Sequence, residues 1–143
     1  MENPKYWLSV VSKEHILNGI KNDWIMVCHG KEKPLKRMKA GDWLINYSPT
    51  EKYGDKKPYQ CFTGFGQITD GKTFQHQMDD SFHPFGMKID WKPSNDISVR
   101  PYLKSLKFIT NPKQWGFKFR LGHFEIPKKD FLLLTQDMHK NET

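Results

Sequence analysis

The sequence predicts an α+β fold, a bent antiparallel or mixed sheet of about six strands that closes toward a barrel, with flanking helices. The first observation is the order of elements, in which a strand and a helix precede a run of strands and a final helix. The second is that short β-prone runs, separated by Gly, Pro and polar loops, fill the middle of the chain. The third is size, because 143 residues with 36% hydrophobic content suffice for one core. A single domain over residues 1–143 is therefore expected.

The N-terminal part predicts a strand and then a helix. Tyr6–Val11 is a short apolar run of β-prone residues. Ser12 is a favourable N-cap, and the apolar residues after it recur at helical spacing until Asn22. We therefore expect a helix over Lys13–Lys21 that packs on one face.

The stretch Trp24–Pro49 contains two apolar runs joined by a basic segment, and it predicts two core strands with a helical turn over Pro34–Lys39 between them. The first run ends at His29-Gly30-Lys31 and the second at Tyr47-Ser48-Pro49. Polar side chains and flexible backbone would converge where these strands leave the core, and such convergence is typical of a recognition pocket.

The middle of the chain predicts two strands, Tyr59–Thr69 and Pro84–Trp91, with polar loops over Thr50–Pro58 and Asp70–Phe82. In the first of these strands Gly64 and Gly66 indicate a bulge or a close backbone approach.

The C-terminal third predicts a short helix or turn within Val99–Ile109, a last strand near Lys118–Leu121 and a final helix that begins at Pro127. The strand rests on the alternation of Phe117 and Phe119 with basic residues. The buried stripe of the helix is expected to be Phe131, Leu132, Leu134 and Met138.

The charge of the chain favours a polyanionic partner such as nucleic acid. The formal net charge is +7 and the isoelectric point is about 9.4. The two cysteines, Cys28 and Cys61, lie in apolar runs and are expected to be buried free thiols. Neither a signal peptide nor a membrane-spanning run is recognisable, so a cytoplasmic location without membrane contact is expected.

Three catalytic or cofactor patterns are each incomplete in this sequence, so no metal and no cofactor are expected. His76, Asp79, Asp80 and His83 have the residue types of a metal site but no characteristic spacing. Cys28 and His29 are neighbours, and neighbouring side chains on a strand point to opposite faces. Gly64-Phe65-Gly66 lacks the following helix of a phosphate-binding loop.

What remains is an aromatic and basic set that suits a flipped nucleobase, which has two π faces and a polar edge. The opening run Tyr6–His15, the segment Cys28-His29-Gly30-Lys31, Gly41-Asp42 before Tyr47-Ser48-Pro49, and the run Trp115–Phe124 also resemble the EVE domain family of the PUA-like superfamily. The resemblance covers nearly the whole chain. It implies a pseudo-barrel with a pocket for a modified base and a separate effector protein, such as a nuclease, as a further partner.

The resemblance extends to YTH domains, which bind methylated adenine in RNA. They place a cage tryptophan five residues before a His-Gly pair, as Trp24 precedes His29-Gly30 here. Their second cage tryptophan has no counterpart, because Phe82-His83-Pro84 occupies that region. The second wall of the pocket is therefore left open between Phe82 and another aromatic residue such as Trp7.

We therefore expect a non-enzymatic binder of modified nucleobases in DNA or RNA. The predicted base pocket is Trp7, Ser9, Trp24, His29, Gly30, Tyr47, Ser48, Pro49, Phe82 and Trp115. The predicted phosphate contacts are Lys31, Lys33, Lys36, Arg37 and Arg120. Gly30 would let the loop backbone approach the base.

Two other functions remain open. One is a small nucleotide-processing hydrolase that uses His29 with a loop carboxylate, and turnover of a nucleotide would identify it. The other is a protein-interaction module with exposed aromatic residues, and weak salt dependence of binding would identify that.

Overall fold

The computed structural model describes residues 3–77 and 79–139. The strands in these residues are β1 (Tyr6–Val10), β2 (Trp24–Ile25), β3 (Trp43–Ser48), β4 (Cys61–Gln75), β5 (Phe85–Trp91), β6 (Ile97–Ser98) and β7 (His123–Ile126). The helices are α1 (Lys13–Asn22), α2 (Glu32–Leu35) and α3 (Lys128–Met138). The predicted α+β class is confirmed.

The strands form one mixed, open sheet. Its pairing order is β2-β5-β4-β3-β1-β7, and β6 pairs with one end of β4. Only the β1–β3 pair is parallel among the described strands, and the other pairs are antiparallel. Parallel neighbours need a crossover connection, which here consists of α1, β2 and α2. This crossover brings the segment after β2 close to the end of β1.

Apolar side chains cover both faces of the central strands. On β1, Trp7 packs into one core cluster and Leu8 into the other, and on β3 Leu44 and Ile45 divide in the same way. Successive side chains on a strand point to opposite faces, so a strand buried on both sides must be apolar at nearly every position. The continuous apolar runs in the sequence have this cause.

The first helix is confirmed nearly as predicted. The Ser12 hydroxyl accepts a hydrogen bond from the His15 N–H at 3.4 Å. The first N–H groups of α1 are satisfied by the loop that follows β3. The Lys13 N–H donates to the Thr50 carbonyl at 3.0 Å, and the Glu14 N–H donates to the Glu51 carbonyl at 2.8 Å. Helix α1 thereby anchors the start of the Thr50–Pro58 loop.

Strand β4 is longer than predicted. It continues to Gln75 through residues that the sequence assigned to a polar loop, because Thr73, Phe74 and Gln75 pair with β5 after an irregularity in register. Pairing with a neighbouring strand thus outweighs the polar composition. The predicted close approach at Gly66 is confirmed, since a Cβ atom there would lie 2.4 Å from the Asp90 carbonyl oxygen.

The predicted last strand is wrong. Lys118–Leu121 forms a 3₁₀ turn, which ends at Gly122 with φ of 76°, and the last strand is β7. The alternation was misleading because Phe119 is buried while Phe117 is exposed, so the two do not share a face. In α3 the stripe holds for Phe131, Leu134 and Met138, whereas Leu132 is half exposed.

Candidate functional site

A cleft of about 420 Å³ opens where four segments meet, and this volume is in the range of small-ligand pockets. The segments are the end of β1 with the start of α1, the turn after β2, residues 49–53 directly after β3, and the 3₁₀ turn that precedes β7. The Val10 N–H donates to the Gly122 carbonyl at 3.0 Å and holds two of these walls together. The cleft is lined by Val10, Val11, Ser12, His15, Met26, Cys28, His29, Lys31, Pro49, Thr50, Tyr53, Phe119, Arg120, Leu121 and Gly122.

The turn after β2 has an unusual backbone. Cys28, His29 and Gly30 have φ angles of 48°, 60° and 85°, in the left-handed region that disfavours non-glycine residues. A Cβ atom on Gly30 would lie 2.3 Å from the Cβ of Pro84. In this structure the missing side chain of Gly30 therefore makes room for Pro84 and not for a ligand. The packing on Pro84 fixes the turn that directs His29 to the cleft.

The exposed rim of the cleft contains two aromatic rings. The imidazole of His29 lies edge-on to the phenol ring of Tyr53, with 5.4 Å between the ring centres. Tyr53 is 75% exposed, which is unusual for a large aromatic side chain. The sequence reasoning missed Tyr53, although it is the single aromatic residue of the polar Thr50–Pro58 loop.

The rim is also positively charged. Lys31 and Arg120 both line the cleft and are exposed, and no aspartate or glutamate is among its described lining residues. Arg37 is exposed just after α2 and is not among the residues that line the cleft. Lys33 and Lys36 are exposed on or beside α2, and Lys36 lies 3.6 Å from the carboxylate of Glu32.

Cys28 and His29 both line the cleft, contrary to the expectation that they point to opposite faces. The reason is that they belong to a tight turn and not to a strand. Burial raises the pKa of the Cys28 thiol, although the charges of Arg37 and Lys31 oppose this. The thiol is therefore mainly protonated, and a protonated thiol is a poor nucleophile. Cys28 and Cys61 are free, but both are partly exposed instead of buried.

Trp24 does not line the cleft. It is 4% exposed and packs against His76 and Phe74, whose ring centres lie 4.6 and 5.7 Å away. Its indole N–H is buried and has no hydrogen-bond partner among the described residues. A crevice of about 20 Å³ beside Trp24 shares the side chain of Met26 with the cleft. Trp24 thus lies directly behind one wall of the cleft, without a face open for stacking.

Ser9 and Ser48 are fully buried and belong to a polar cluster with Asn46 and Thr63. The Ser9 hydroxyl donates to the Asn46 side-chain oxygen at 2.8 Å, and the Asn46 amide donates to the hydroxyls of Ser48 at 3.2 Å and Thr63 at 2.9 Å. The Ser48 hydroxyl also donates to the Val11 carbonyl at 2.8 Å. The prediction that these serines face a base is corrected, because the buried polar cluster uses their hydrogen bonds.

Trp7 and Tyr47 are core residues and not cleft walls. The Trp7 indole N–H donates to Asp42 at 3.0 Å, and its ring stacks on His123 with centres 5.0 Å apart. Tyr47 is 3% exposed and stacks on Phe119 at 4.1 Å. Strand alternation places both side chains in the two core clusters.

The remaining predicted pocket residues divide between the cleft and its surroundings. Pro49 lines the cleft. Phe82 is partly buried beside Gly30, on the side where that glycine meets Pro84. Trp115 lines a neighbouring groove instead, where the Arg100 guanidinium lies 5.2 Å from its ring centre.

The loop that precedes β5 holds His76, Asp79, Asp80 and His83, which have the residue types of metal ligands. The Asp79 carboxylate accepts hydrogen bonds from the N–H groups of Ser81 and Phe82, which lower its pKa. Among residues 3–77 and 79–139, no group of three or more His, Cys, Asp or Glu side chains is arranged to hold a metal ion. None of the helices in the same residues is long and apolar enough to cross a membrane.

Comparison with known proteins shows where this architecture recurs. The chain is 43% identical over 139 residues to the UPF0310 protein YdcG of Bacillus subtilis, covering 97% of this chain and 95% of that protein. The structure resembles the YTH domain of the Zygosaccharomyces rouxii MRB1 protein in complex with N6-methyladenosine RNA, with a TM-score of 0.62, 12% identity and coverage of 100% and 92%. It also resembles an ASCH protein from Zymomonas mobilis, with a TM-score of 0.60, 10% identity and coverage of 98% and 100%. The sequence model of the EVE domain matches residues 5–137, and the chain belongs to the EVE domain family.

Proposed function

We propose that this protein binds nucleic acid by enclosing a modified base in the cleft, without chemical turnover. The observation that carries this proposal is the combination of a pocket of about 420 Å³ with a cationic rim and two exposed rings. A base offers π faces and a polar edge, and the sugar-phosphate attached to it carries negative charge. The cleft provides complementary chemistry for both parts.

In this arrangement the apolar lining covers the faces of the base, and the rim reads its edge. Val10, Met26 and Leu121 provide the apolar surface. His29 and Tyr53 supply polar atoms at the mouth, and Lys31 and Arg120 neutralise phosphate.

Trp24 enters the proposal as a deeper wall. Val11, His15 and Met26 line both the cleft and the narrow crevice beside Trp24, and the indole N–H of Trp24 lacks a partner among the described residues. An unsatisfied buried donor is costly, so a ligand atom that accepted this hydrogen bond would gain affinity. Movement of Met26 would let Trp24 contact the base.

The similarity to a YTH domain, whose complex contains N6-methyladenosine RNA, supports a base as ligand because the fold is shared. The hydrolase alternative is disfavoured by the cleft itself. A carboxylate is needed to orient His29 as a base, and the described lining residues provide none. The neutral thiol of Cys28 does not replace it.

The test is a titration of free nucleosides, modified and plain, monitored by calorimetry and by Tyr and Trp fluorescence. We expect N6-methyladenosine, 5-methylcytidine or a related modified nucleoside to bind more tightly than its plain parent, with no product formed. The variant Lys129→Ala, on the exposed start of α3, serves as a control for Lys31→Ala in the same titration with nucleotides. Equal affinity for every modified and plain nucleoside, or release of a product, would reject the proposal.

A further inference from the structure

We propose that the groove next to the cleft binds the nucleotide adjacent to the enclosed base, with Phe117 as its stacking surface. The nucleic acid that this protein binds is then single-stranded. This inference rests on the proposed function, because it positions a second base relative to the one in the cleft. The groove is distinct from the cleft. Its volume is about 460 Å³, and it lies along the segment from Phe108 to Leu121.

The groove exposes apolar side chains that the core does not use. Phe117 is 67% exposed and Leu121 is 62% exposed, while Phe119 between them is buried. Large side chains exposed together on one short turn mark a surface that binds something. At Gly116, just before this turn, an added Cβ atom would have no neighbour within 4 Å, so no side chain covers that position.

The rim of the groove is cationic, which favours a nucleotide over an apolar peptide. The Arg120 guanidinium lies 5.2 Å from the ring centre of Phe117, and Lys118 is exposed on the same turn. Neither side chain forms an ion pair within the described residues, and the described lining contains no carboxylate. Lys118 also lies 5.5 Å from the ring centre of Phe124, so both cations contact rings and neither is neutralised by a carboxylate in the described residues. An aromatic platform beside such cations is the combination that single-stranded nucleic acid requires.

Arg120 and Leu121 line both the groove and the cleft. A phosphate that links a base in the cleft to a base on Phe117 would therefore meet Arg120 midway. Asn111 and Gln114 also line the groove, and their amide groups would meet the edge of the second base. The geometry thus accommodates two consecutive nucleotides whose bases no longer stack on each other.

A single strand follows from this arrangement. Both bases are separated from their stacking neighbours, and the energy of unstacking is smallest in an unpaired strand. The ring of Phe117 replaces the lost base–base contact for the second nucleotide.

The test compares oligonucleotides with nucleosides for the variants Phe117→Ala and Phe117→Trp. The probes are unmodified single-stranded DNA and RNA pentamers, the same pentamers with a central 5-methylcytosine or N6-methyladenine, and the free nucleosides. Phe117→Ala should lower affinity for all pentamers roughly 5- to 100-fold and leave nucleoside affinity unchanged. Phe117→Trp should retain pentamer affinity. Leu132→Ala, at a half-exposed position on α3, is the control for loss of an exposed apolar group.

Each outcome separates this inference from the proposed function. Unchanged pentamer affinity in Phe117→Ala overturns the inference, whereas a preference of the wild type for a modified nucleoside would still support the cleft. Absence of any such preference would reject the cleft and the two-base arrangement together. Tighter binding of duplex than of single strand, or dissociation of a dimer by Phe117→Ala in sedimentation velocity, would also overturn the inference.

Discussion

The rim of the cleft and the buried polar cluster beside it both contain polar side chains, but the rim exposes them to solvent and the cluster encloses them. At the rim, His29 and Tyr53 are exposed and contact each other edge-on. In the cluster, Ser9 and Ser48 are fully buried, and Asn46 joins them by hydrogen bonds. Both sets lie near strand ends, where polar residues suggest recognition. The difference shows that polar groups at a strand end become available to a ligand only when the fold does not use them.

Two histidines, His29 at the rim and His123 in the core, differ in exposure in the same way. His29 is exposed on the turn, whereas His123 is 2% exposed and stacks on Trp7. Both ring nitrogens of His123 are buried without a hydrogen-bond partner among the described residues. The His29 ring is therefore accessible to a ligand, whereas the His123 ring is a polar group enclosed in the core. Substitutions in the buried cluster should therefore change stability, and substitutions at the rim should change binding.

Removal of the central amide should destabilise the fold most. Asn46→Ala leaves the hydroxyls of Ser9, Ser48 and Thr63 with fewer partners in the interior. We expect a loss of about 2–4 kcal/mol in the free energy of unfolding, measured by urea denaturation. Ser9→Ala is the milder companion, with a loss near 1 kcal/mol. A stability equal to wild type for Asn46→Ala would show that the cluster is not structural.

Acid should unfold the protein partly through His123. Burial, with a smaller contribution from the Arg37 charge, lowers the pKa of His123 from 6.5 to about 4. The unfolded chain therefore binds a proton between these values that the folded chain does not bind. Stability should fall as pH decreases from 6.5 to about 4, by up to about 1.4 kcal/mol per pH unit.

The control for this pH effect is His123→Phe, which keeps an aromatic ring against Trp7. Its unfolding free energy should depend less on pH than that of wild type over the same range. Parallel curves for the two proteins would exclude His123 as the titrating group.

Changes at the rim should affect binding without affecting stability. His29→Ala and Tyr53→Ala remove rings at the mouth of the cleft, and each should weaken base binding by about 1–3 kcal/mol if it contacts the base. Thermal unfolding should remain within a degree or two of wild type. A large drop in melting temperature with unchanged affinity would place these residues with the buried cluster instead.

The smallest effects are expected from the charges. Lys31→Ala should weaken binding of all oligonucleotides alike and reduce the dependence of affinity on salt, because Lys31 lines the cleft. Lys36→Ala should do less, because the Glu32 carboxylate at 3.6 Å already balances part of its charge. Titrations at two salt concentrations distinguish them, and a changed preference among bases for either variant would contradict a phosphate role.

Local sequence signals predicted the elements whose formation depends on near neighbours. The Ser12 cap fixed the start of α1, and the apolar runs around Leu8 and Ile45 gave the central strands. The same signals failed at Lys118–Leu121, because a four-residue alternation fits a 3₁₀ turn as well as a strand. They also missed Tyr53, whose position at the cleft depends on the anchoring of its loop by α1.

Local sequence patterns predicted the α+β class and the EVE family resemblance, and four of the residues they pointed to, His29, Lys31, Pro49 and Arg120, line the cleft. Periodicity, caps and motifs are local properties, so they can be recognised without coordinates. Which polar and aromatic side chains face the cleft depends on tertiary contacts. Trp7, Ser9 and Ser48 turn inward because Asp42 and Asn46 satisfy their hydrogen bonds there. Trp24 is buried by its packing against Phe74 and His76. Burial depends on partners distant in sequence, and a residue's type does not specify those partners.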